Sequence, residues 1–148
     1  MPQQEILQEA LRLLSRKMYS TEEVRNKLFQ QFPKEDDKIE WTLSECLRLG
    51  FLHDERFAKE YVRYRQQTSP RSVFVLQREL SEKGISLDIT KKVLNEEEDE
   101  NTAQHLAERK WGNSEVSNEK EFQKRIRFLM SRGFSFSVAK RAAGRNVL

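Results

Sequence analysis

Several residue types that define other protein classes are scarce in this chain. Its 148 residues include one cysteine, which excludes an intramolecular disulfide and favours a reducing, cytoplasmic location. Five glycines and three prolines are too few for the many tight turns of a β-sandwich or barrel. There is no run of about 18 apolar residues, so we expect no membrane span, and the first residues show no secretory signal.

Hydrophobic residues are also few, whereas charged residues are abundant. They make up 36% and 34% of the chain respectively, so the core must be thin and the solvated surface large. The net charge of +3 hides an uneven distribution, because residues 122–148 carry seven basic and no acidic side chains, whereas residues 96–121 carry three basic and nine acidic ones. The basic end indicates a polyanionic or acidic partner, although a solvated basic helix would have the same composition.

Apolar residues recur along the chain at the i, i+3 and i+4 spacing of amphipathic helices. No segment alternates with a period of two, so we predict an all-α protein of about nine helices without a sheet. Ser20 and Glu23 form a capping box, and further helix starts are predicted at Asp54, Ser86, and Ser117 or Asn118. Pro70 is expected in the first turn of a helix.

The predicted core follows the apolar stripes of these helices. The third stripe is predicted to bury Ile39, Leu43, Cys46, Leu47 and Leu49. We interpret Phe57, Tyr61 and Tyr64 as core residues rather than as platforms on which nucleic-acid bases stack.

A short pattern repeats along the chain. Ser20, Val24 and Leu28 are spaced like Ser72, Leu76 and Leu80 and, more weakly, like the third set, Ser135, Ala139 and Ala143. This repetition predicts three tandem three-helix repeats over residues 1–52, 53–95 and 96–148, the last preceded by an acidic link over residues 95–101. A unit of this size buries little surface alone, so neighbouring units must share a core, and the thin composition favours an elongated array.

Three blocks of sequence resemble one known family. The segment Gly50–Arg63 (GFLHDERFAKEYVR) is similar to a signature of the RecX family, which regulates the bacterial recombinase RecA. The segments Glu79–Ile85 (ELSEKGI) and Phe128–Phe136 (FLMSRGFSF) resemble two further blocks of the family, in the same order. Three residues depart from the family pattern: His53 replaces an acidic or amide residue, and Ala139 and Ala143 replace larger aliphatic residues, which thins the packing of the last helix.

The resemblance implies a curved helical array that inhibits RecA without being an enzyme. A protein of this kind lies in the groove of the RecA–DNA filament and hinders filament growth, ATP hydrolysis and strand exchange. It acts in DNA recombination, DNA repair and the SOS response. The implied partners are the RecA filament and, weakly and without sequence preference, single- and double-stranded DNA, with the regulator acting as a monomer in the cytoplasm.

Arginine and lysine are the candidate contact residues, because guanidinium and ammonium groups bind phosphate and carboxylate. A central group contains Arg63, Arg65, Arg71 and Arg78, and a C-terminal group contains Lys124, Arg125, Arg127, Arg132, Lys140, Arg141 and Arg145. Structural roles stay open for some of them: Arg63 and Arg65 could pair with Glu60 or neighbouring acids, and Arg132 could complement a helix dipole.

Catalytic functions find little support in the sequence. Cys46, His53 and His105 do not have the spacing of a zinc site, and the Gly-x4-Gly-Lys-Ser/Thr phosphate loop is absent, so we expect neither a metal nor a cofactor. Two other functions remain open. One is a helix-turn-helix type of DNA-binding protein that acts without RecA, which the turn at Lys83–Ile85 would permit. The other is a protein adaptor without affinity for DNA.

Overall fold

The structure is a computed structural model that describes residues 2–112 and 114–144. Within these residues it contains helices and no strand, which confirms the all-α prediction. The nine α-helices of this part are α1 (Gln3–Arg16), α2 (Thr21–Gln31), α3 (Asp36–Arg48), α4 (Asp54–Thr68), α5 (Val73–Glu82), α6 (Leu87–Val93), α7 (Asp99–Trp111), α8 (Glu119–Ser131) and α9 (Phe136–Ala143). The predicted acidic link over residues 95–101 is almost entirely helical, because a 3₁₀ turn over Glu96–Glu98 leads directly into α7.

Serine and asparagine side chains begin several helices where the sequence predicts. The Oγ atoms of Ser20 and Ser86 accept hydrogen bonds from the backbone N–H three residues on, at 3.1 and 3.2 Å, and the Oδ1 atom of Asn118 does so at 2.9 Å. At Ser20 the Glu23 carboxylate also accepts from the Ser20 N–H at 3.0 Å, so the capping box is complete. These bonds satisfy N–H groups that the first turn of a helix leaves without partners.

Two predicted helix starts are wrong. At α4 the cap is His53, whose Nδ1 atom accepts from the N–H of Arg56 at 3.1 Å. Asp54 instead reaches back to α2, where its Oδ1 atom accepts from the N–H of Thr21 at 2.9 Å and from the Thr21 hydroxyl at 3.0 Å. Pro70 precedes α5 by three residues and therefore lies in the link rather than in the helix.

The helices form two compact units, and the first consists of Met1–Glu60 and Leu80–Val93. Its core is built by α1, α2 and α3 around buried side chains that include Ile6, Leu28 and Leu43. Cys46 is buried there, as predicted, and burial raises the pKa of its thiol. Leu47 and Leu49 were predicted to be buried but are 47% and 49% exposed. Leu47 lies off the face of α3 that turns Ile39, Leu43 and Cys46 inward, and Leu49 follows the last residue of the helix.

The second unit consists of Tyr61–Glu79 and Leu94–Leu148. Small side chains dominate its core: Ala103 and Ala107 on α7, and Ala139, Ala142 and Ala143 on α9. The two alanines that depart from the family pattern are therefore fully packed, since Ala139 and Ala143 are 0% and 2% exposed and α9 contacts both α7 and α8. Tyr64 was predicted to be core but is 64% exposed.

One pattern of contacts occurs once in each unit. In the first unit the Ser20 hydroxyl donates to the carbonyl of Lys83 at 2.6 Å, and Asp54 accepts from the first N–H of α2. In the second unit the N–H of Ser72 donates to the carbonyl of Arg132 at 3.2 Å, and Asp99 accepts from the first N–H of α5 at 3.0 Å. We call these two sets of contacts the helix-start junctions.

The junctions correct the register of the internal repeat. Ser20 and Ser72 begin the second helix of their three-helix groups, α2 and α5, whereas Ser135 begins α9, the third helix of the last group. The counterpart of Ser135 is Ser86, which begins α6 after the similar turn Lys83–Ile85. The sequence match paired different helices because serine caps and apolar i+4 spacing occur at the start of any amphipathic helix. The predicted repeat boundaries stay a prediction.

Candidate functional site

The structure distributes the predicted contact residues over very different environments. Exposed side chains belong to Arg63, Arg78, Lys124, Arg127, Lys140 and Arg141. Arg65, Arg71 and Arg132 are partly buried, Arg125 is buried, and Arg145 lies outside the described residues. The eleven residues therefore do not form one continuous basic face.

Arg65 is held by an internal ion pair. Its Nη2 and Nε atoms donate to the two carboxylate oxygens of Glu79 at 2.8 and 2.9 Å, and the Tyr61 hydroxyl donates to the same carboxylate at 2.6 Å. Arg65 keeps the pKa of Glu79 below its usual range, against the effect of burial. Burial and the Glu79 carboxylate raise the pKa of Tyr61 to about 12. Arg65 therefore has the role of a partner in an internal ion pair, which the sequence analysis left open, and its acid is Glu79.

Arg125 differs most from the expectation that it lines an exposed basic surface. Its residue is 4% exposed, and its guanidinium donates to the carbonyl of Ser114 at 3.0 Å and to the Glu121 carboxylate at 3.2 Å. It also lies 4.9 Å from the centre of the Trp111 ring. Its hydrogen-bonding groups are engaged within the chain, so Arg125 joins α8 to the segment that follows α7 rather than facing a partner.

The C-terminal helix also uses a predicted residue internally. Arg141 of α9 forms an ion pair with Glu100 of α7, although both side chains are largely exposed. Such exposed pairs contribute little to stability. Lys140, which lies 6.0 Å from the centre of the Phe136 ring, has no carboxylate partner within the described residues.

Two predicted residues, Arg71 and Arg132, come together with two that the sequence analysis missed, Arg109 and Lys110. All four line one cavity of about 330 Å³ in the second unit, which we call the basic groove. The other lining residues are neutral: Thr68, Ser69, Pro70, Leu106 and Phe128. The groove lies between the link that precedes α5 and the C-terminal ends of α7 and α8.

Neutral partners hold the cations of the basic groove in place. The Nη1 atom of Arg71 donates to the Ser69 hydroxyl at 2.8 Å and to the carbonyl of Pro70 at 2.9 Å. The Arg132 guanidinium and the Lys110 ammonium each lie 4.4 Å from the centre of the Phe128 ring. Cation–π contacts orient a cation without neutralising its charge.

The charge of the basic groove is not compensated locally. Within the described residues, none of its four cations forms an ion pair with a carboxylate. Partial burial, followed by repulsion from Arg65 and Arg132, lowers the pKa of Arg71 below its ordinary value. Like charges are therefore close enough to repel each other. An anion bound between them would relieve that repulsion and accept hydrogen bonds from fixed guanidinium groups.

Arg109 and Lys110 were missed because their surroundings in the sequence are acidic. They belong to residues 96–121, in which acidic side chains outnumber basic ones, so a segment-by-segment charge count conceals them. They are exposed at the last turn of α7, where a basic side chain ordinarily complements the helix dipole. Only the packing of α7 near Phe128 of α8 places them beside Arg132.

Metal-binding clusters and membrane-spanning helices characterise other functional classes, and the described part of the chain has neither. No group of three or more His, Cys, Asp or Glu side chains there could hold a metal ion. None of the helices in that part has the length and apolar character that a membrane span requires.

Comparison with known proteins places the fold in a defined class. Three family models match in chain order: the first three-helix domain of RecX over residues 7–46, the second over 54–94 and the third over 96–143. A crystal structure of RecX from Lactobacillus salivarius superposes with a TM-score of 0.81 at 26% identity, covering 97% of this chain and 96% of that one. The fold is thus that of regulatory proteins built from three tandem three-helix domains.

Two relatives of higher sequence identity are also RecX proteins. The regulatory protein RecX of Legionella pneumophila is 38% identical over 133 residues, covering 87% of this chain and 86% of the relative. The regulatory protein RecX of Vibrio parahaemolyticus is 32% identical over 132 residues, covering 86% of this chain and 82% of the relative. The chain belongs to the RecX family, and its role is that of a RecX regulatory protein.

Proposed function

We propose that this chain inhibits RecA by binding the RecA–DNA filament, and that it thereby hinders filament growth, ATP hydrolysis and strand exchange. Membership of the RecX family supports a regulatory role. The resemblance of the sequence blocks to that family implies RecA as the target. The basic groove is the observation that carries the proposal to particular residues, because a filament on DNA presents a regular array of phosphates.

The chemistry of the basic groove suits phosphate better than a base edge. Guanidinium groups bind phosphate through paired hydrogen bonds, and such contacts depend on charge rather than on sequence. Reading a base sequence would require Arg, Asn or Gln side chains projecting together from an exposed helix into the major groove. The cations here instead surround a cavity, with Arg71 contributed by a link. We therefore infer weak, sequence-independent binding to single- and double-stranded DNA.

The family resemblance supplies the remaining features of the proposal. The protein acts as a regulator without catalysis, as a monomer in the cytoplasm, and in DNA recombination, repair and the SOS response. Among the predicted contact residues, Arg71 and Arg132 are the ones we assign to phosphate contact, together with Arg109 and Lys110. Exposed Arg63, Arg78, Lys124 and Arg127 contribute through the general field of the surface.

The test measures DNA-stimulated ATP hydrolysis by RecA at ratios of this protein too low to coat the DNA. The groove variant Arg109→Gln/Lys110→Gln removes two charges that form no ion pair with a carboxylate among the described residues. The matched control, Lys124→Gln/Arg127→Gln, removes two exposed charges from α8 outside the groove. We expect the wild type and the control to inhibit, and the groove variant to require a several-fold higher concentration.

DNA binding by the same proteins shows how the groove variant acts. For single-stranded DNA, the slope of log K against log salt concentration falls by about 0.7 in magnitude for each lost phosphate contact. We therefore expect this slope to fall by about 1.4 in the groove variant and by much less in the control. If the salt slope falls equally in the two variants, the basic groove is not part of the DNA-binding surface. Tight, salt-sensitive DNA binding without any effect on RecA would contradict the proposal and favour a helix-turn-helix type of DNA-binding protein.

A further inference from the structure

Another cavity lies in the first unit and shares no lining residue with the basic groove. It has a volume of about 240 Å³, and we call it the apolar cleft. Its lining consists of Leu14, Lys17, Met18, Tyr19, Gly50, Phe51, His53 and Arg56. Met18 and Phe51 are 40% and 54% exposed, so large apolar side chains meet solvent at this point. Leu47 and Leu49, close before Gly50 in the sequence, add further exposed apolar surface.

The two charged residues that line the apolar cleft, Lys17 and Arg56, are both basic. No acidic side chain of the described chain contributes to the lining. Arg56 donates to the carbonyl of Gly50 at 2.9 Å, and neither Lys17 nor Arg56 forms an ion pair with a carboxylate in that part of the chain. The Lys17 ammonium lies 4.9 Å from the centre of the Tyr19 ring, which also has Lys27 at 5.4 Å.

We infer that the apolar cleft docks an acidic segment with apolar side chains on the protein partner, so that the chain holds RecA and DNA through different surfaces. The inference rests on the proposed function, which supplies RecA as that partner. Methionine, tyrosine, phenylalanine and arginine are enriched in protein interfaces, and a flexible methionine adapts to a partner's side chain. The cations beside them complement carboxylates of the segment, which defines its acidic character.

Nucleic acid fits the apolar cleft less well than a protein segment does. Bases bind single-stranded sites by stacking on free aromatic faces. Tyr19 is already in contact with two lysines, and Phe51 is the other ring of the lining. Leu14 and Met18 supply the rest of its apolar surface and have no face on which a base could stack. Aliphatic surface next to cations matches a leucine or phenylalanine flanked by carboxylates.

The test measures binding of the full chain to RecA in the absence of DNA. Phe51→Ala removes an exposed ring, and Lys17→Glu reverses one charge. Leu87→Ala is the control, because Leu87 is a 62% exposed leucine of the same unit that does not line the cleft. We expect Phe51→Ala to weaken RecA binding about tenfold, as central interface aromatics do. Lys17→Glu should weaken it most at low salt, and Leu87→Ala should leave it unchanged.

Each contrary result has its own meaning. If the wild type inhibits RecA but Phe51→Ala binds RecA as tightly as the wild type, the inference is wrong and the proposed function stands. If Phe51→Ala weakens binding to single-stranded DNA and not to RecA, the cleft is a nucleic-acid site and the inference is again wrong. If the wild type neither binds nor inhibits RecA, the proposed function and the inference fall together. Unfolding in urea checks that each variant is folded.

Discussion

Three arginines of the second unit have different roles because their neighbours differ. Arg65 is paired with Glu79, and Arg125 is enclosed by Glu121, Ser114 and the Trp111 ring. The Arg132 guanidinium donates to the Ser131 hydroxyl, lies over the Phe128 ring and forms no ion pair within the described residues, so its charge remains available to an anion. At this scale, function depends on which cations the chain leaves without a carboxylate.

Tyr61 provides a measurable consequence of the Arg65–Glu79 pair. Burial, and then the Glu79 carboxylate, raise the pKa of the Tyr61 phenol to about 12 in the folded chain. Because the unfolded value is about 10, the neutral phenol keeps its full contribution to stability below that pH, and the contribution is lost as the pH rises through the folded value. Glu79→Gln should lower the pKa of Tyr61 without returning it to about 10, since burial remains.

The tyrosinate absorbance of the wild type, Glu79→Gln and Tyr61→Phe, followed against pH, checks this prediction. Tyr61→Phe identifies which of the three tyrosines titrates late. An unchanged titration in Glu79→Gln would show that the carboxylate does not influence the phenol.

The sequence could identify basic residues but not their surroundings. The acid-free stretch over residues 122–148 is visible in composition alone, and it includes Arg132. Burial of Arg125 depends on Ser114, eleven residues away, and the groove position of Arg109 depends on the ends of two other elements. Two of the four groove cations, Arg71 and Arg132, were therefore predictable. The other two, Arg109 and Lys110, depend on the packing of α7 near α8.

At the scale of helices, local signals were reliable and long-range ones were not. The caps at Ser20 and Ser86 involve residues three positions apart, so the sequence contains both partners. The partner of Asp54 is Thr21, 33 residues earlier, and nothing in the local pattern distinguishes this role from that of a cap. Such contacts between helices form the two helix-start junctions.

A glycine at the second helix-start junction gives a test of how closely the elements approach. Gly133 has a φ of +99°, and a Cβ atom there would overlap the Ser72 hydroxyl and a Val75 methyl group. Gly50 is the matched control, because its φ is +82° and a Cβ atom would meet nothing within 4 Å. Alanine at either position costs about 1–2 kcal/mol of backbone strain, and at Gly133 the overlap adds about 1–3 kcal/mol.

Urea unfolding of Gly133→Ala and Gly50→Ala measures the difference directly. We expect Gly133→Ala to have the lower free energy of unfolding. Equal losses at the two positions would mean that the turn at Gly133 moves away from Ser72 without cost.

At the scale of the whole molecule, three family domains coexist with two compact units. The matches over residues 7–46, 54–94 and 96–143 follow the chain, whereas the units divide α4 after Glu60 and α5 after Glu79. The number of helices in the described residues was predictable, because each helix has its own apolar stripe. The grouping by three was predicted from the repeated serine pattern, although that pattern paired different helices. The division of the middle domain was not, because it depends on the neighbours to which each half of α4 and α5 packs.

This division predicts how fragments of the chain fold. A fragment of residues 1–95 contains the whole first unit, and a fragment of residues 54–148 contains the whole second unit. Each retains one core cluster and one helix-start junction, so we expect both to be helical and to unfold cooperatively. Residues 54–95 alone lose Thr21, Asp99 and the carbonyl of Arg132 as partners, and a chain of about 40 residues rarely folds without such support.

Far-ultraviolet circular dichroism during urea unfolding distinguishes these fragments. The two long fragments should show a helical signal and a sigmoidal transition, and residues 54–95 should show a weak signal that falls gradually. Asp54→Asn in the fragment of residues 1–95 should lower its midpoint, since it weakens the acceptor for Thr21. A cooperative transition in residues 54–95 alone would show instead that the middle domain folds without contacts from the other two domains.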